Sequence, residues 1–527
     1  MILECFVGVL CFVLYYYFKF RRAWHFWKQQ NVEYVKPVFP FGSSPVMNWS
    51  MVLNPTTNFN QGAYEQAKAL GFPKFFGLYI FANPVMAICD PEMAKQIMVK
   101  DFDHFVDRQG DAAVEFLRTS HFVDKLWLQQ LPSLQGEEWK KSRNTFTPIF
   151  TAGKLKGMMQ FIHEVTKNLV KSIGQEVALD QPFDLKVKYS KFSMDTIASC
   201  AFGVNAKSFE DKNSKFAKNA REFFRNTPKD MWKVLIAAIV PGGKFVMEKL
   251  SIPIQKYEQT MFFYEIVKET VNHRMQTKFR RNDLVDLMID AMKEDSESDT
   301  NPNQIHDNAR KSLDEITLVA TALVILIAGY DTTAQTLAIT SFYLARNPDI
   351  QDKLYQEIVD VSGELDVDSY PDYNLIQSLP YMDMVLHETL RINPALGLIT
   401  RACTKDYIVP GTSIPLKRGD DVHIYVSAIH KNREIYPDPD QYDPERFSAQ
   451  AKANRHPYAF LGFGHGPRAC IGMRFALLEA KLALFGVLRS YKFVTCADTV
   501  ESFTLEPSAM LAAPKEPLLV KVEARLK

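Results

Sequence analysis

The stretch 312-SLDEITLVATALVILIAGYDTTAQTLAITSFYLARNP-348 constrains the fold more than any other part of the chain. Ser312 followed by Glu315 makes a capping box that starts a helix, and Pro348 stops it. Between them the residues are almost continuously apolar, so apolar matter must surround the helix on every side. A bilayer or a large protein core would satisfy that demand. Asp331, Gln335 and the threonines between Thr332 and Thr340 stand in the middle, and a charge at mid-span is costly in lipid. A long core helix is expected, with its polar groups aimed at something inside the protein. The chain has material for such a core, with 527 residues of which 47% are hydrophobic. Length alone suggests about two to four domains. No interior stretch reads as a linker, however, and there is no repeat, so one large domain over 46–527 is expected. Helical periodicity dominates it, with short β-like segments at 76–89, 407–415 and 517–524. The fold class is mainly α with small β-sheets. The polar run 293-KEDSESDTNPNQIHDN-308 reads as a surface loop.

The N-terminus is different in kind. Residues 1-MILECFVGVLCFVLYYYF-18 carry one charge, Glu4, and Lys19, Arg21 and Arg22 follow. Eighteen residues span roughly 27 Å as a helix, enough for a thin bilayer. No small-residue cleavage site follows, so a single N-terminal transmembrane helix over 1–18, an uncleaved signal anchor, is expected. The basic residues after it place the body of the chain on the cytosolic side. Residues 19–45 form a basic, proline-rich connector; 37-PVFPFGSSP-45 reads as a stiff, extended piece. A net charge of +1 excludes the broad basic field of a nucleic-acid binder. The seven cysteines are odd in number and scattered, with no C-x-x-C pair. Disulfide frameworks and zinc knuckles are poor readings of them, and a reducing compartment suits them.

One cysteine stands apart. In 460-FLGFGHGPRACIGMRFALLEAKLAL-484, four glycines surround Cys470 just before a helical pattern. Glycines let a backbone turn with positive φ and approach a flat ligand closely. A helix N-terminus beside the sulfur presents free N–H groups and lowers a thiol's pKa. Arg468 can neutralise an acid at the ligand's edge. The loop suits a thiolate facing a planar metallocofactor.

Here the chain resembles the cytochrome P-450 family. Phe463, Gly466, Arg468, Cys470 and Gly472 match its F-x-x-G-x-R-x-C-x-G haem loop at every fixed position. Further family motifs follow the expected order across essentially the whole chain, and 146-FTPIFTAGKLK-156 is similar to the branch of insect xenobiotic-metabolising and vertebrate drug-metabolising members. The resemblance implies haem b with Cys470 as the axial thiolate ligand of iron. The segment 328-AGYDTT-333 matches the oxygen-activation motif: Ala328 and Gly329 thin the helix beside the cofactor, and Asp331 and Thr332 relay protons. The pair Glu388 and Arg391 in 388-ETLRINP-394, with Arg446 in 439-PDQYDPERF-447, corresponds to a buried structural triad. Trp139 and Arg143 in 139-WKKSR-143, with Arg108, Arg401 and Arg468, correspond to the haem-propionate contacts. His465 falls at a variable position of the loop and is not expected to be a ligand, and His430 is expected to be a structural hydrogen-bonder.

The implied activity is a monooxygenase reaction on a lipophilic small molecule, a xenobiotic or an endogenous lipid or hormone. The chain holds no flavin or nicotinamide motif, so electrons must come from outside. For a microsomal member the donor is NADPH–cytochrome P-450 reductase, with cytochrome b5 as a helper. Lys140, Lys141, Lys154, Lys156 and Arg474 supply a basic surface for it. The implied location is the endoplasmic reticulum membrane, catalytic domain on the cytosolic face, with 231-MWKVLIAAIVPGGKF-245 dipping into lipid or else forming a core helix. Two other classes are weighed. A peroxide-rearranging member would tend to lose the acid–threonine pair, which is present here. A haem sensor or electron carrier would find a proton relay surplus.

Overall fold

The computed structural model describes residues 2–45, 57–204, 206–210, 215–225, 227–240, 242–277, 279–298, 315–363, 369–507 and 511–525. The helices that build and flank the site are α1 (Ile2–Ala23), α2 (Gly136–Phe146), α3 (Ala152–Leu179), α4 (Leu185–Ile197), α5 (Lys215–Phe223), α6 (Pro228–Ile239), α7 (Gly243–Lys249), α8 (Leu284–Ser298), α9 (Glu315–Arg346), α10 (Pro380–Ile392) and α11 (Met473–Ser490).

Helix α9 is the axis of the molecule. Its side chains are buried on every face, and Asp331, Gln335 and Thr340 are buried with them. Among the described residues it is the one helix long and apolar enough to cross a membrane, yet 67% of its apolar stretch is covered by protein. The core reading holds because other helices supply the apolar surround: α4 packs along it, and α10 and α11 cross it. The helix ends at Arg346, and Pro348 opens the next helix at its first turn. The capping box at Ser312 lies outside the described residues.

The sheets are small. Strands β1 (Phe75–Ile80), β2 (Asn83–Ile88), β7 (Asp421–Tyr425) and β4 (Leu398–Ala402) form one sheet in the order β1-β2-β7-β4, with β2 and β7 parallel. Strands β3 (Phe183–Asp184), β9 (Leu519–Ala524) and β8 (Tyr491–Val494) form a second. Strands β5 (Tyr407–Ile408) and β6 (Pro415–Leu416) make a two-stranded pair. The three segments expected to be β-like hold β1 and β2, β5 and β6, and β9. Strand β4 has no alternating pattern to betray it: it is set by its pairing with β7, which carries Arg401 opposite Val422.

Two stretches differ from the sequence reading. Helix α8 continues through Ser298, so the start of the polar run is helical rather than loop; residues 299–308 lie outside the described set. Glu294 and Glu297 favour that continuation, being good helix formers. The connector after the apolar N-terminus is not extended. Helix α1 runs past Phe18 to Ala23, and the chain beyond it folds onto the first sheet. Trp27 is 1% exposed and its Nε1 donates to Leu78 O at 3.0 Å. It lies flat on Gly77, where an added Cβ would stand 2.3 Å from Trp27 Cγ. Phe39 meets Tyr17 and Phe20 of α1 at ring distances of 5.9 and 5.6 Å. Aromatic area of this size is worth more buried than extended in water.

Asp421 opens β7 beside Gly110, whose N–H donates to Asp421 Oδ1 at 3.1 Å. Burial, aided by neighbouring Asp420, pushes its acid from 3.8 up to about 6 against that single donor. A folded-state pKa above the unfolded one means that the folded state holds a proton the unfolded state releases. The group therefore costs nothing below the unfolded value, and stability is lost as pH rises through the folded value. Asp421→Asn keeps the oxygen acceptor and removes the charge. It is expected to raise stability by about 1–3 kcal/mol near about pH 8 and to change little near about pH 4, read as the thermal midpoint at each pH.

Candidate active site

Cys470 sits at the end of a loop that is held by its own backbone. Cys470 N–H donates to Phe463 O at 2.9 Å, and Gly464 N–H donates to Leu461 O at 2.9 Å. Gly464 and Gly466 have φ of +69° and +73°, the left-handed region that favours glycine. At Gly466 a Cβ would also stand 2.2 Å from Met98 O, so the loop lies directly on the preceding chain. Gly472 is the N-cap of α11, and the Gly472 and Met473 N–H groups point at the sulfur.

The sulfur faces inward. Cys470, Ala328, Thr332, Phe475, Ile325 and Phe150 are among the residues that wall one apolar cavity between α9 and α11. Cys470 is accessible only in the sense that it opens into this cavity; it lies deep within the protein. The sequence reading expects the helix N-terminus to draw the thiol toward thiolate. The donors are in place, and Arg108 and Arg143 add to them, but burial outweighs them all and pushes the thiol up. A cation bound at the sulfur would oppose that burial, because it ligates the deprotonated form.

The arginines converge beside the loop. Arg108 Nη2 donates to Arg468 O at 3.1 Å. Arg468 Nε donates to Val106 O at 2.8 Å and its Nη2 to Leu134 O at 2.7 Å. Arg401 is 1% exposed, with Nη1 on Thr400 O at 2.8 Å. The Nε atoms of Arg108 and Arg401 are buried without a hydrogen-bond partner. Burial and mutual repulsion push Arg468 down to about 8 and Arg401 to about 9. Arg108 and Arg143 are depressed by burial as well. Burial is the main cause, and the neighbouring guanidinium groups add to it, so an anionic partner would be favoured here. Asp107, 3.5 Å from Arg468, is one such partner. A ligand with two carboxylates on one edge would be another. The Trp139 ring lies under the Arg468 guanidinium at 4.1 Å and against Phe102. Lys140 of the same turn faces outward and pairs with Glu137.

On the opposite wall, Thr332 Oγ1 donates back to Ala328 O at 2.7 Å while α9 stays continuous. Thr336 repeats the bond one turn on, to Thr332 O at 2.9 Å. Gly329 serves packing against α4 rather than the cavity alone, since a Cβ there would stand 2.8 Å from Ile197 Cδ1. Asp331 turns the other way, and among the described residues no hydrogen bond joins its carboxyl to the Thr332 hydroxyl. Its acid is pushed up by burial.

A family model described as Cytochrome P450 matches residues 45–522. The chain is 32% identical over 506 residues to "Probable cytochrome P450 6a14" of Drosophila melanogaster, covering 95% of this chain and 96% of the relative. It is 35% identical over 459 residues to "Cytochrome P450 3A14" of Cavia porcellus, covering 86% and 85%. With "Probable cytochrome P450 6w1" of Drosophila melanogaster it shares 32% over 532 residues, covering 99% and 98%. The chain belongs to the cytochrome P450 family.

The P450 cofactor is iron protoporphyrin held by a cysteine thiolate, and the residues present fit it: one inward sulfur, an apolar cavity, and an arginine cluster short of negative charge. When bound, the haem supplies reductive activation of O₂, and the thiolate ligand favours O–O cleavage. Every other contribution belongs to the chain. Cys470 would hold the iron, Arg108, Arg143, Arg401 and Arg468 stand where they would meet an anionic edge, and Thr332 presents a hydroxyl on the cavity wall that faces the sulfur.

The scaffold of this P450 hangs on a fully buried ion pair. Arg391 Nε and Nη2 donate to the two oxygens of Glu388 at 2.6 and 2.7 Å, and neither side chain is exposed. Arg446 Nε stands 3.4 Å from Glu388 Oε1, and Asp443 N–H donates to the same oxygen at 3.0 Å. Arg391 also donates to His430 O at 2.9 Å and Pro439 O at 2.8 Å. His430 then links two halves of the site. Leu461 N–H donates to its Nε2 at 2.8 Å, which fixes the proton on Nδ1, and Nδ1 meets Arg391 O at 3.0 Å. Burial, with Arg391 adjacent, pushes the imidazole down to about 3, so it stays neutral. Sequence reasoning marked His430 as structural but had no signal that it joins α10 to the Cys470 loop. His465 Nε2 donates to Phe460 O at 3.1 Å, and the ring lies against Tyr458.

Proposed function

We propose that this P450 inserts one atom of O₂ into lipophilic small molecules, xenobiotics foremost, taking electrons from NADPH–cytochrome P450 reductase with cytochrome b5 as a second donor. The observation that carries the reading is that Cys470 and Thr332 wall the same apolar cavity. Thiolate ligation and a hydroxyl on the opposite wall are what oxygen activation asks of a protein. The apolar lining supports a lipophilic substrate, for which burial is favourable and charge is not. Within this reading Asp331 and Thr332 are the proton relay, and Glu388, Arg391 and Arg446 are the structural triad.

The same reading puts the protein in the endoplasmic reticulum membrane, with residues 1–18 as anchor and 46–527 as catalytic body on the cytosolic face. Residues 19–45 join them, docked as described above. Support comes from the flank of the molecule. The inner face of α6 packs Met231 and Leu235 on Phe41. Its outer face and α7 expose Trp232, Phe245, Val246 and Leu250, of which Leu250 is 65% exposed. Large apolar side chains exposed on two consecutive helices in this way suit a membrane or partner contact. The segment 231–245 is thus half core and half surface.

The test of the function is the absorption spectrum of the dithionite-reduced protein with carbon monoxide, for wild type and Cys470→His. The wild type is expected to show a strongly red-shifted Soret band that the variant lacks. A histidine-type band in the wild type would remove the thiolate and the monooxygenase with it. For the relay, Thr332→Ala is expected to keep haem and to divert at least half of NADPH use from product to peroxide and water; unaltered coupling would sink the role. For the membrane contact, protein lacking residues 2–18 is expected to fold and still bind phosphatidylcholine vesicles partly, and to lose that binding when Trp232, Phe245, Val246 and Leu250 become serine. A truncated protein that stays wholly off the vesicles overturns the patch.

A further inference from the structure

Gln335 stands one turn after Asp331 on α9, and the two side chains are 3% and 9% exposed. Gln335 Nε2 donates to Asp331 Oδ2. Gln335 Oε1 is buried and has no hydrogen-bond partner. An unmatched acceptor at that depth, beside an acid, is unusual in a core built as tightly as this one. The acid also faces away from the cavity. Lys186 in the first turn of α4 and Arg221 on α5 are the charged groups that act on it. Tyr330, its neighbour on α9, is bonded to Ser190 of α4. Lys186 is half-buried and Arg221 is exposed, so this side leads to solvent. Thr332, on the next stripe of the helix, opens into the cavity.

A carboxylate only accepts hydrogen bonds, whereas a carboxylic acid must also donate one. A glutamine amide offers a donor on one side and an acceptor on the other, and its terminal torsion exchanges them in half a turn. We propose that Gln335 is a positioning residue for Asp331: its N–H holds the carboxylate, and after half a turn its unmatched Oε1 accepts from the protonated acid, so Asp331 keeps one place in both states. Protonation adds one proton to an Asp331 oxygen and its loss removes it, so no electrons move and the amide ends as it began. The positioning role stands on this geometry alone; its bearing on the reaction rests on the relay reading of Asp331 and Thr332. Burial raises the acid while Lys186, the Gln335 amide and Arg221 oppose it. Removing the amide therefore moves the titration further up.

The experiment is infrared spectroscopy of the haem-loaded full-length protein across pH. The carbonyl band of protonated Asp331 is assigned by its loss in Asp331→Asn. In Gln335→Met, which keeps side-chain length but neither donates nor accepts as an amide does, the midpoint of that band is expected to move to higher pH. In wild type labelled with ¹³C-glutamine, one amide band absent from Gln335→Met is expected to shift with the same midpoint as the acid. An unmoved acid midpoint in Gln335→Met overturns the proposal and leaves Gln335 a packing residue, whatever the variant's thermal stability. Should Gln335→Met fail to take up haem, the wild-type amide band decides: a band indifferent to pH overturns the proposal. The pH profile of coupling between NADPH use and product is measured in parallel. If the midpoint moves and the profile does not, the positioning role stands and the relay reading falls.

Discussion

The Glu388–Arg391 pair is the joint on which the cofactor site hangs. Both side chains are fully buried, and the pairing is bidentate. Such a pair is weak evidence of net stability, because desolvation of two charges opposes their attraction. Losing one partner is another matter, and leaves an uncompensated charge worth about 3–5 kcal/mol. What the pair secures is geometry. Arg391 has donors left over after Glu388, and it uses them on the His430 and Pro439 carbonyls. The imidazole of His430 then holds Leu461, the residue from which the Cys470 loop departs. The register of the thiolate is thus set by a chain of bonds that begins on a different helix.

The second organising force is charge left unbalanced on purpose. Arg108, Arg143, Arg401 and Arg468 are drawn together by elements far apart in sequence: the segment after β2, helix α2, strand β4 and the Cys470 loop. Burying them costs solvation, and their repulsion adds to it. The protein tolerates this because backbone carbonyls cap Arg468 and Trp139 covers its face. The thiol feels the opposite imbalance, since burial holds its proton on. A ligand carrying a cation at its centre and carboxylates at its rim would relieve both strains. Apoprotein and holoprotein should accordingly differ in stability by more than the contact area of the ring would suggest.

Much of this was legible in the sequence, and for reasons that can be named. Helix α9 was readable because Asp331 in an apolar run has few physical explanations. The Cys470 loop was readable because glycine, arginine and cysteine at that spacing leave little latitude. The grouping of Arg108, Arg143, Arg401 and Arg468 was readable by resemblance alone, as no local pattern singles out Arg108 or Arg401. What stayed hidden is tertiary. The Arg468 guanidinium that lies over Trp139 comes from the other end of the chain, and no local pattern pairs the two. The direction of the Cys470 shift depends on burial, which a linear motif does not encode. Gln335 looked like one more polar residue on a core helix. Only the buried, unmatched oxygen gives it a part to play.

The docking of residues 24–45 on the first sheet has a mechanical meaning. Trp27 on Gly77 and Phe39 against Tyr17 and Phe20 leave no swivel between α1 and the body. That sheet continues from β1 through β2 and β7 to β4, which carries the buried Arg401 of the arginine cluster. A force applied to α1 would therefore be passed to the sheet that carries the buried Arg401, as a rudder turns with its post.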